Sequence, residues 1–430
     1  MHPDQRSVAV IGSGVSGLVA AYVLAQRDRV TLYEADSRLG GHAHTHQIPL
    51  PEDDGRTIGV DSAFLVHNDR TYPTLCRLFD ELGVATRETD MSMSVRDDAS
   101  GLEYAGARGI GGLFPTWSSL TRPRYLYMLA EVKRFHRAAL GLLESDADDA
   151  TVGEFLGRHG FSQFFIDHFM TPLIAAVWSS PPGQSLDYPA RYLFVFLEHH
   201  GMLSVFNSPT WKTVVGGSVT YVDAVAEVID EVRLGAAVRS VRRLPDGVEV
   251  CDGIGGPRSY DAAVIATHPD QALLMLAEPT SAERSVLGAI EYSTNHAQLH
   301  TDESVLPRHR RARASWNYLA TNDDGPVMVT YDVTRLMRLR AGFRILVTLG
   351  GRDRVDPAHV LTEMTYSHPM YTPTSVAAQQ LLPNLDDDRV VFAGAYHGWG
   401  FHEDGAASGL RAAQRLGVDW PAAAWRAVAC

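Results

Sequence analysis

Three features predict an α/β fold of two interleaved domains: a glycine-rich turn between a β-branched strand and a helix, a helical block that interrupts the chain, and alternating strands that resume beyond it. With 430 residues, 45% of them hydrophobic, the chain can bury a core for both domains.

Ser7 to Ile11 reads as a strand, Gly14 to Gln26 as a helix with apolar spacing, and Arg29 to Glu34 as the next strand, a βαβ unit of about 30 residues. Arg38 to Gln47 follows as a Gly- and His-rich loop. Pro73 to Leu82 is helical and closes at Gly83, and Met91 to Val95 alternates like a strand. Helices are then expected over Arg124 to Leu143, from the capping box of Thr151 and Glu154, over Gln163 to Val177 and over Tyr188 to His199. Ser218 is expected to cap a helix through Val232, with strands at Ala237 to Val241, Gly247 to Val250 and Ser259 to Ile265. Segments Ala314 to Leu319, Val327 to Tyr331 and Arg344 to Leu349 suggest a sheet flooring the second domain, before a buried strand at Val390 to Gly394 and a helix from about Asp404 to Leu416.

Gly12, Gly14 and Gly17 form G-x-G-x-x-G between the first strand and helix, with Ser16 inside the turn. The first glycine allows the tight turn, the second close approach of a pyrophosphate, and the third helix-on-strand packing. Glu34 lies 22 residues after Gly12, close to the spacing of about 20 for a carboxylate on ribose hydroxyls, and Ala35 follows it. The unit is therefore Rossmann-type.

Composition excludes other classes. The balance of 38 basic against 51 acidic residues, a net charge of -13, repels nucleic acid and offers no overall attraction to anionic lipid. Cys76, Cys251 and Cys430 form no CxxC pair, which fits a reducing cytoplasm. No run reaches the roughly 18 apolar residues of a spanning helix, so any membrane association is at most peripheral. Neither a G-x-S-x-G elbow nor a G-x-x-x-x-G-K-[ST] loop is present.

The segment Glu34 to Thr45, E-A-D-S-R-L-G-G-H-A-H-T, carries Arg38, Gly40, Gly41 and His42. It resembles the R-x-G-G extension of the amine oxidase, phytoene desaturase and protoporphyrinogen oxidase superfamily, which implies that these residues surround the pyrophosphate of FAD. Phe392, Ala393 and Gly394, with G-F-H-E-D-G-A-A-S-G from Gly400 to Gly409, resemble that superfamily's C-terminal flavin motif, which contains Ser408. Ala395 stands where many members carry an acid, so Glu403 or Asp404 is expected to supply the ribityl contact. The resemblance also places Val238 beside the adenine and Ala266 with Thr267 beside the dinucleotide. The stretches Val60 to Pro73, Thr213 to Ser218 and Ala266 to Leu273 look like a bacterial amine-oxidase-like subgroup with a loose link to fatty acyl modification. The fold implied is a Rossmann-type FAD-binding domain (residues 1–85, 213–275 and 386–430) interleaved with a mixed α+β substrate domain (86–212 and 276–385), amine oxidase-like throughout.

Flavin carries the redox chemistry, so the catalytic candidates are pocket residues near its motifs. His397, Trp399 and His402 flank the C-terminal turn as an aromatic wall or base, or simply pack it. His67 and Tyr72 are placed near the ring by resemblance. Arg335 anchors a carboxylate or phosphate, or lies on a solvated helical face. Lys212 invites comparison with the flavin-contacting lysine of amine oxidases. His199 and His200 read as surface residues. His42, His44 and His46 alternate as metal ligands would, but no Cys or fourth ligand is near, and no metal is predicted. The helices from Arg124 to Leu143 and the aromatic run Tyr192 to Phe206 are candidates for an apolar tunnel.

The function expected is FAD-dependent hydride removal from a C–H bond of a largely apolar acyl lipid or natural-product intermediate, by desaturation or amine or amide oxidation. FAD is held non-covalently, oxygen or an electron carrier reoxidises it, and a homodimer is allowed. The alternatives are a redox-neutral isomerase or hydratase that retains FAD, and a non-catalytic FAD-binding protein.

Overall fold

The computed structural model describes residues 5–50, 55–145, 150–178, 186–203, 208–320 and 328–421. Phe206, Val327 and Cys430 lie outside them.

Strand Ser7–Ile11 is the middle of a five-stranded parallel sheet in the order Glu231–Arg233, Arg29–Tyr33, Ser7–Ile11, Ala262–Ile265, Val390–Phe392. Both faces are covered, so its strands are continuous apolar runs such as Ala262-Ala263-Val264-Ile265, all four buried. The first helix, Val15–Leu24, packs on the last, His402–Arg415. Glycine permits their approach: a Cβ on Gly409 would stand 2.2 Å from the Ser16 carbonyl oxygen, and one on Gly405 2.5 Å from Val15 Cγ1. A three-stranded antiparallel sheet, Val238–Leu244, Gly247–Asp252 and Gly256–Tyr260, flanks this unit.

The second large sheet has seven strands in the order Val360–Pro369, Tyr292–His300, Leu346–Leu349, Met328–Asp332, Trp316–Ala320, Met93–Asp97, Leu102–Gly106. Beside it lie helices Pro123–Leu143, Val152–Arg158 with its Thr151–Glu154 capping box, and Ala190–His199. Gln163 to Trp178 is one helical stretch widened by a π-turn at Ile166–Met170. Phe135, fully buried, meets Phe161, Phe165, Phe169 and Phe194 at the centre of this block. Among the described residues no helix is long and apolar enough to cross a membrane.

Two expectations fail on tertiary pairing. The helix after Ser218 ends at Ala226, and Glu231–Arg233 is a strand paired with Thr31–Tyr33. Val30 N donates to the Asp230 carboxylate at 2.9 Å, fixing that edge, and sheet pairing overrides the helical spacing. Ser218 makes no side-chain cap because its hydroxyl donates to Asp61 at 2.7 Å. Ser259 to Ile265 is two strands, since Asp261 breaks the run to accept Ser7 N at 2.7 Å, sending Tyr260 and Ala262 to different sheets. The hairpin Thr45–Pro49 with Thr57–Asp61 was not anticipated in the Gly- and His-rich loop.

Candidate functional site

A cavity of about 910 Å³ runs from the glycine-rich turn at the end of the first strand to the aromatic side chains beside the seven-stranded sheet. This is at the upper end of the range of about 300–1,000 Å³ for sites that enclose small molecules.

At the first end the three glycines do different work. Gly12 has φ +99°, and a Cβ there would meet the Ala266 carbonyl oxygen at 2.7 Å. A Cβ on Gly17 would lie 1.9 Å from the Gly12 oxygen. Beside Gly14 there is open space, with no atom within 4 Å of a Cβ position. A Cβ on Gly41, at φ +56°, would stand 3.2 Å from Gly14 Cα, so two backbone turns bound one opening. Arg38 holds the second turn by donating to the Gly41 carbonyl at 2.8 Å, and Gly40 N donates to Ser13 Oγ at 3.1 Å. Glu34 ends the second strand and accepts from the Ser13 and Asp36 amides, each at 2.9 Å. Exposed backbone, an open flank at Gly14 and a carboxylate at ribose distance along the chain suit a dinucleotide.

Gly12, Gly14, Ser16, Glu34, Ala35, Arg38, Gly41, His42, Val238, Ala266 and Gly394 all line the cavity, as expected of the cofactor set. Gly17 and Gly40 do not; they give the turns their close packing. The other exceptions are corrections. Glu403 accepts from Thr74 N and Leu75 N at 2.9 and 3.0 Å, capping helix Pro73–Leu82, and Asp404 accepts from Phe401 N at 2.9 Å, capping its own helix. Carboxylates at helix N-termini are drawn to those unpaired amides, so neither lines the cavity as a ribityl partner. Burial raises the Asp404 carboxyl to about 7. Ser408 Oγ accepts from Gly394 N at 2.9 Å and donates to the Gly405 carbonyl at 2.8 Å, tying the turn to the last helix.

Of the catalytic candidates, Tyr72 and His402 line the cavity. His402 stacks on Phe64, ring centroids 3.8 Å apart, and its Nε2 meets the Tyr221 hydroxyl at 3.2 Å. Burial, then the neighbouring His67, lowers its pKa to about 3, so the ring is neutral. His397, Trp399 and Arg335 do not line it. His397 lies behind the turn with Nε2 unpartnered, and burial lowers it to about 3. Trp399 packs against His199 and Tyr192 while its carbonyl accepts from Trp178 Nε1 at 3.0 Å. Arg335 pairs with Asp90 at 3.2 Å, neither among the cavity lining nor on a free helical face. His67 is buried outside the cavity, and Lys212 is held by Asp69 at 2.6 Å. No residue of Pro123–Leu143 reaches the cavity, because that helix buries its apolar face against the phenylalanine cluster.

The far end was largely unforeseen. Trp178, Phe196, Trp211, Trp316 and Tyr331 line it, with His200 among them. His200 is 5% exposed and belongs to the cavity, not the surface. Its Nδ1–H donates to the Phe196 carbonyl at 2.9 Å, which leaves Nε2 as an acceptor, and burial lowers its pKa to about 4. The aromatic run from Tyr192 signalled this wall, but not which residues face in. Among the described residues the charged lining side chains, Glu34, Asp36, Arg38 and Arg239, stand at the glycine end.

His44 and His46 stack at 4.0 Å and bond to Tyr366 and Ser62, each at 2.9 Å, while His42 turns to the cavity beside His368 with Nε2 unpartnered. Among the described residues no group of three His, Cys, Asp or Glu is placed to hold a metal ion. No cysteine is among the lining residues.

The family model described as flavin containing amine oxidoreductase matches residues 15–417. Protoporphyrinogen oxidase 2, chloroplastic/mitochondrial, of Arabidopsis thaliana is 28% identical over 187 residues, 41% of this chain and only 33% of that protein's length. Among solved structures, cyclohexylamine oxidase from Brevibacterium oxydans IH-35A superposes with a TM-score of 0.69 at 16% identity, covering 96% of this chain and 98% of that one. A CLA-producing fatty acid isomerase from P. acnes gives 0.68 at 16% identity, covering 95% and 98%. At such identities the likeness is one of fold.

Proposed function

Since the chain belongs to the flavin-containing amine oxidoreductase family and is an FAD-dependent oxidoreductase, we propose that it removes a hydride from a C–H bond of a largely apolar small molecule, an acyl lipid or natural-product intermediate. The observation that carries this is the segregation of charge: among the described residues the far end of the cavity offers tryptophan, phenylalanine and neutral histidine, without a carboxylate to receive a cationic amine. A diamine would lose its hydration there and gain no counter-ion, whereas a hydrocarbon chain gains about 25 cal/mol for each Å² it buries.

Flavin, when bound, would supply the redox chemistry as the hydride acceptor. The remaining tasks fall to this chain. The two glycine turns, with Ser16, Arg38 and Glu34, would hold the dinucleotide. The last helix presents its positive N-terminal end at Gly400–His402, which favours negative charge nearby. The aromatic wall excludes water and orients the substrate. His200, a lining residue whose Nε2 is left as an acceptor, takes the proton released with the hydride. The product is desaturated, and oxygen or an electron carrier is the final acceptor.

The test is the absorbance spectrum of the purified protein before and after anaerobic addition of acyl, amine and polyketide compounds, with product masses. Bleaching of the flavin bands with loss of two hydrogens supports the proposal; deamination would move the reading to amine oxidation. An apolar cavity suits redox-neutral isomerisation of an unsaturated chain equally well, a second reading favoured by the fold likeness to the fatty acid isomerase. A product of unchanged mass and no net reduction of flavin would select it. A colourless protein that cannot be reconstituted with FAD would overturn both.

A further inference from the structure

Behind the apolar end of the cavity lies a second, smaller cleft of about 440 Å³, lined by Arg108, Arg310, Arg313, Arg335, Arg344 and Glu303. Its five guanidiniums face three carboxylates. Asp90 pairs with Arg335 and Arg108 at 3.2 and 3.3 Å, Glu303 with Arg313 and Arg344, and fully buried Asp332 with Arg344. Arg310, its exposed chain neighbour Arg311 and the exposed Arg124 have no carboxylate partner among the described residues, and Arg108 Nε is buried without an acceptor. This excess of positive charge stands on a chain whose net charge is -13.

A run of exposed apolar side chains adjoins it. Arg108 leads into the short helix Gly109–Leu113, which packs on the Arg310–Ala312 turn and leaves Ile110 79% exposed. The next turn, Trp117–Thr121, leaves Trp117 88% exposed, and the start of helix Pro123–Leu143 exposes Tyr127 at 57%. These side chains stand on successive single turns, with Arg108 before them and Arg122 and Arg124 between Trp117 and Tyr127. Apolar and aromatic groups that protrude among arginines match the layering of an anionic bilayer: acyl chains for Ile110 and Trp117, the interface for Tyr127, phosphates for the guanidiniums.

We propose that the Arg108–Tyr127 ridge and the arginine cleft form a docking surface for an anionic phospholipid membrane. The overall negative charge assists, since it turns the rest of the surface away from the bilayer. The location has a consequence for the cavity. Asp90 is held by the cleft and its neighbour Met91 lines the cavity; Tyr331 lines the cavity and its neighbour Asp332 pairs into the cleft. Docking would set the apolar end of the cavity close to the bilayer, whatever reaction takes place there.

The experiment is co-sedimentation of the FAD-loaded protein with vesicles of phosphatidylcholine, with and without phosphatidylglycerol, at low and high salt. Binding is expected to the mixed vesicles alone and to weaken with salt. I110S/W117S and R310E/R311E are each expected to reduce it about tenfold or more, with the melting temperature unchanged because all four side chains are exposed. Absence of binding, equal binding to both vesicle types, or binding indifferent to these variants would overturn the proposal. So would a protein that self-associates through Ile110 and Trp117, or whose melting responds to inorganic phosphate, while leaving vesicles alone.

Discussion

The two ends of the cavity are made of different material. The glycine end comes from residues 11 to 42 with a few later contacts, and is shaped by backbone: open flank at Gly14, close contacts at Gly12 and Gly17, a facing turn at Gly41. The aromatic end is assembled from side chains as far apart as Met91, Trp178, Trp211 and Tyr331. A site cut from backbone admits almost no change of residue type, whereas one lined by side chains can be altered at single positions while the fold stands. The first suits a cofactor that does not vary, the second a substrate that does.

That contrast breaks hardest at Gly17. With a Cβ 1.9 Å from the Gly12 oxygen, Gly17→Ala forces strand and helix apart, at a cost of about 1–3 kcal/mol or more. A lower melting temperature and loss of the yellow colour are expected together. Gly14→Ala, which meets no protein atom within 4 Å, should fold with normal apoprotein melting and yet bind FAD about tenfold or more weakly. Equal effects on apoprotein melting at both positions would show that the open flank has no ligand role.

Acid should act through buried histidines spread over the molecule, of which His200 belongs to the aromatic end. Burial holds His200 and His368 at about 4 and His402 at about 3, and all three line the cavity. His44, His67, His300 and His397 lie at about 3 to 4. Each binds a proton more readily in the unfolded chain, near pH 6.5, so stability is full above that value and falls as pH drops toward the folded values. Asp61 and Asp386, raised to about 6, and Asp404, raised to about 7, act in the opposite sense, binding protons more readily when folded. The histidines outnumber them, so the melting temperature is expected to fall between pH 6.5 and 4. A rise across that range would mean that the carboxylates dominate.

Within the aromatic end, His200→Ala should retain flavin and lower turnover about 100-fold, with the acid limb of the pH profile altered. A variant that changes KM alone would make His200 a packing residue. At the glycine end, Glu34→Gln removes a charged acceptor from the Ser13 and Asp36 amides and should weaken FAD binding about tenfold without changing turnover of the loaded enzyme.

The same division governs what could be read from the chain. Turn glycines, the Thr151–Glu154 cap and the αL stop at Gly83 are local, and all stand where their spacing put them. Glu231 and Val232 read as the end of a helix because only the pairing of Glu231–Arg233 with Thr31–Tyr33 makes them a strand. Glu403 and Asp404 were read as ligands because an acidic pair beside a flavin motif gives no sign of the helix amides it will cap. His200 was read as surface because helical spacing does not say that Trp211 will arrive beside it, ring centroids 6.2 Å apart.

The smallest effect is expected at Arg335, a candidate substrate anchor that faces away from the cavity. Its guanidinium is 21% exposed, donates to Asp90 and to the Arg313 carbonyl at 3.2 and 3.0 Å, and has Arg108 as a second cation on the same carboxylate. Removing it leaves Asp90 partnered, so Arg335→Ala should cost no more than about 1 kcal/mol of stability. If it bound substrate, the loss of a charge-assisted contact of about 1.5–3 kcal/mol would raise KM roughly ten- to a hundredfold. Steady-state kinetics of the loaded enzyme separate the two cases: an unchanged kcat/KM leaves Arg335 to the outer cleft, and a raised KM would extend the substrate site through the sheet wall and erase the boundary between the apolar end and the arginines behind it.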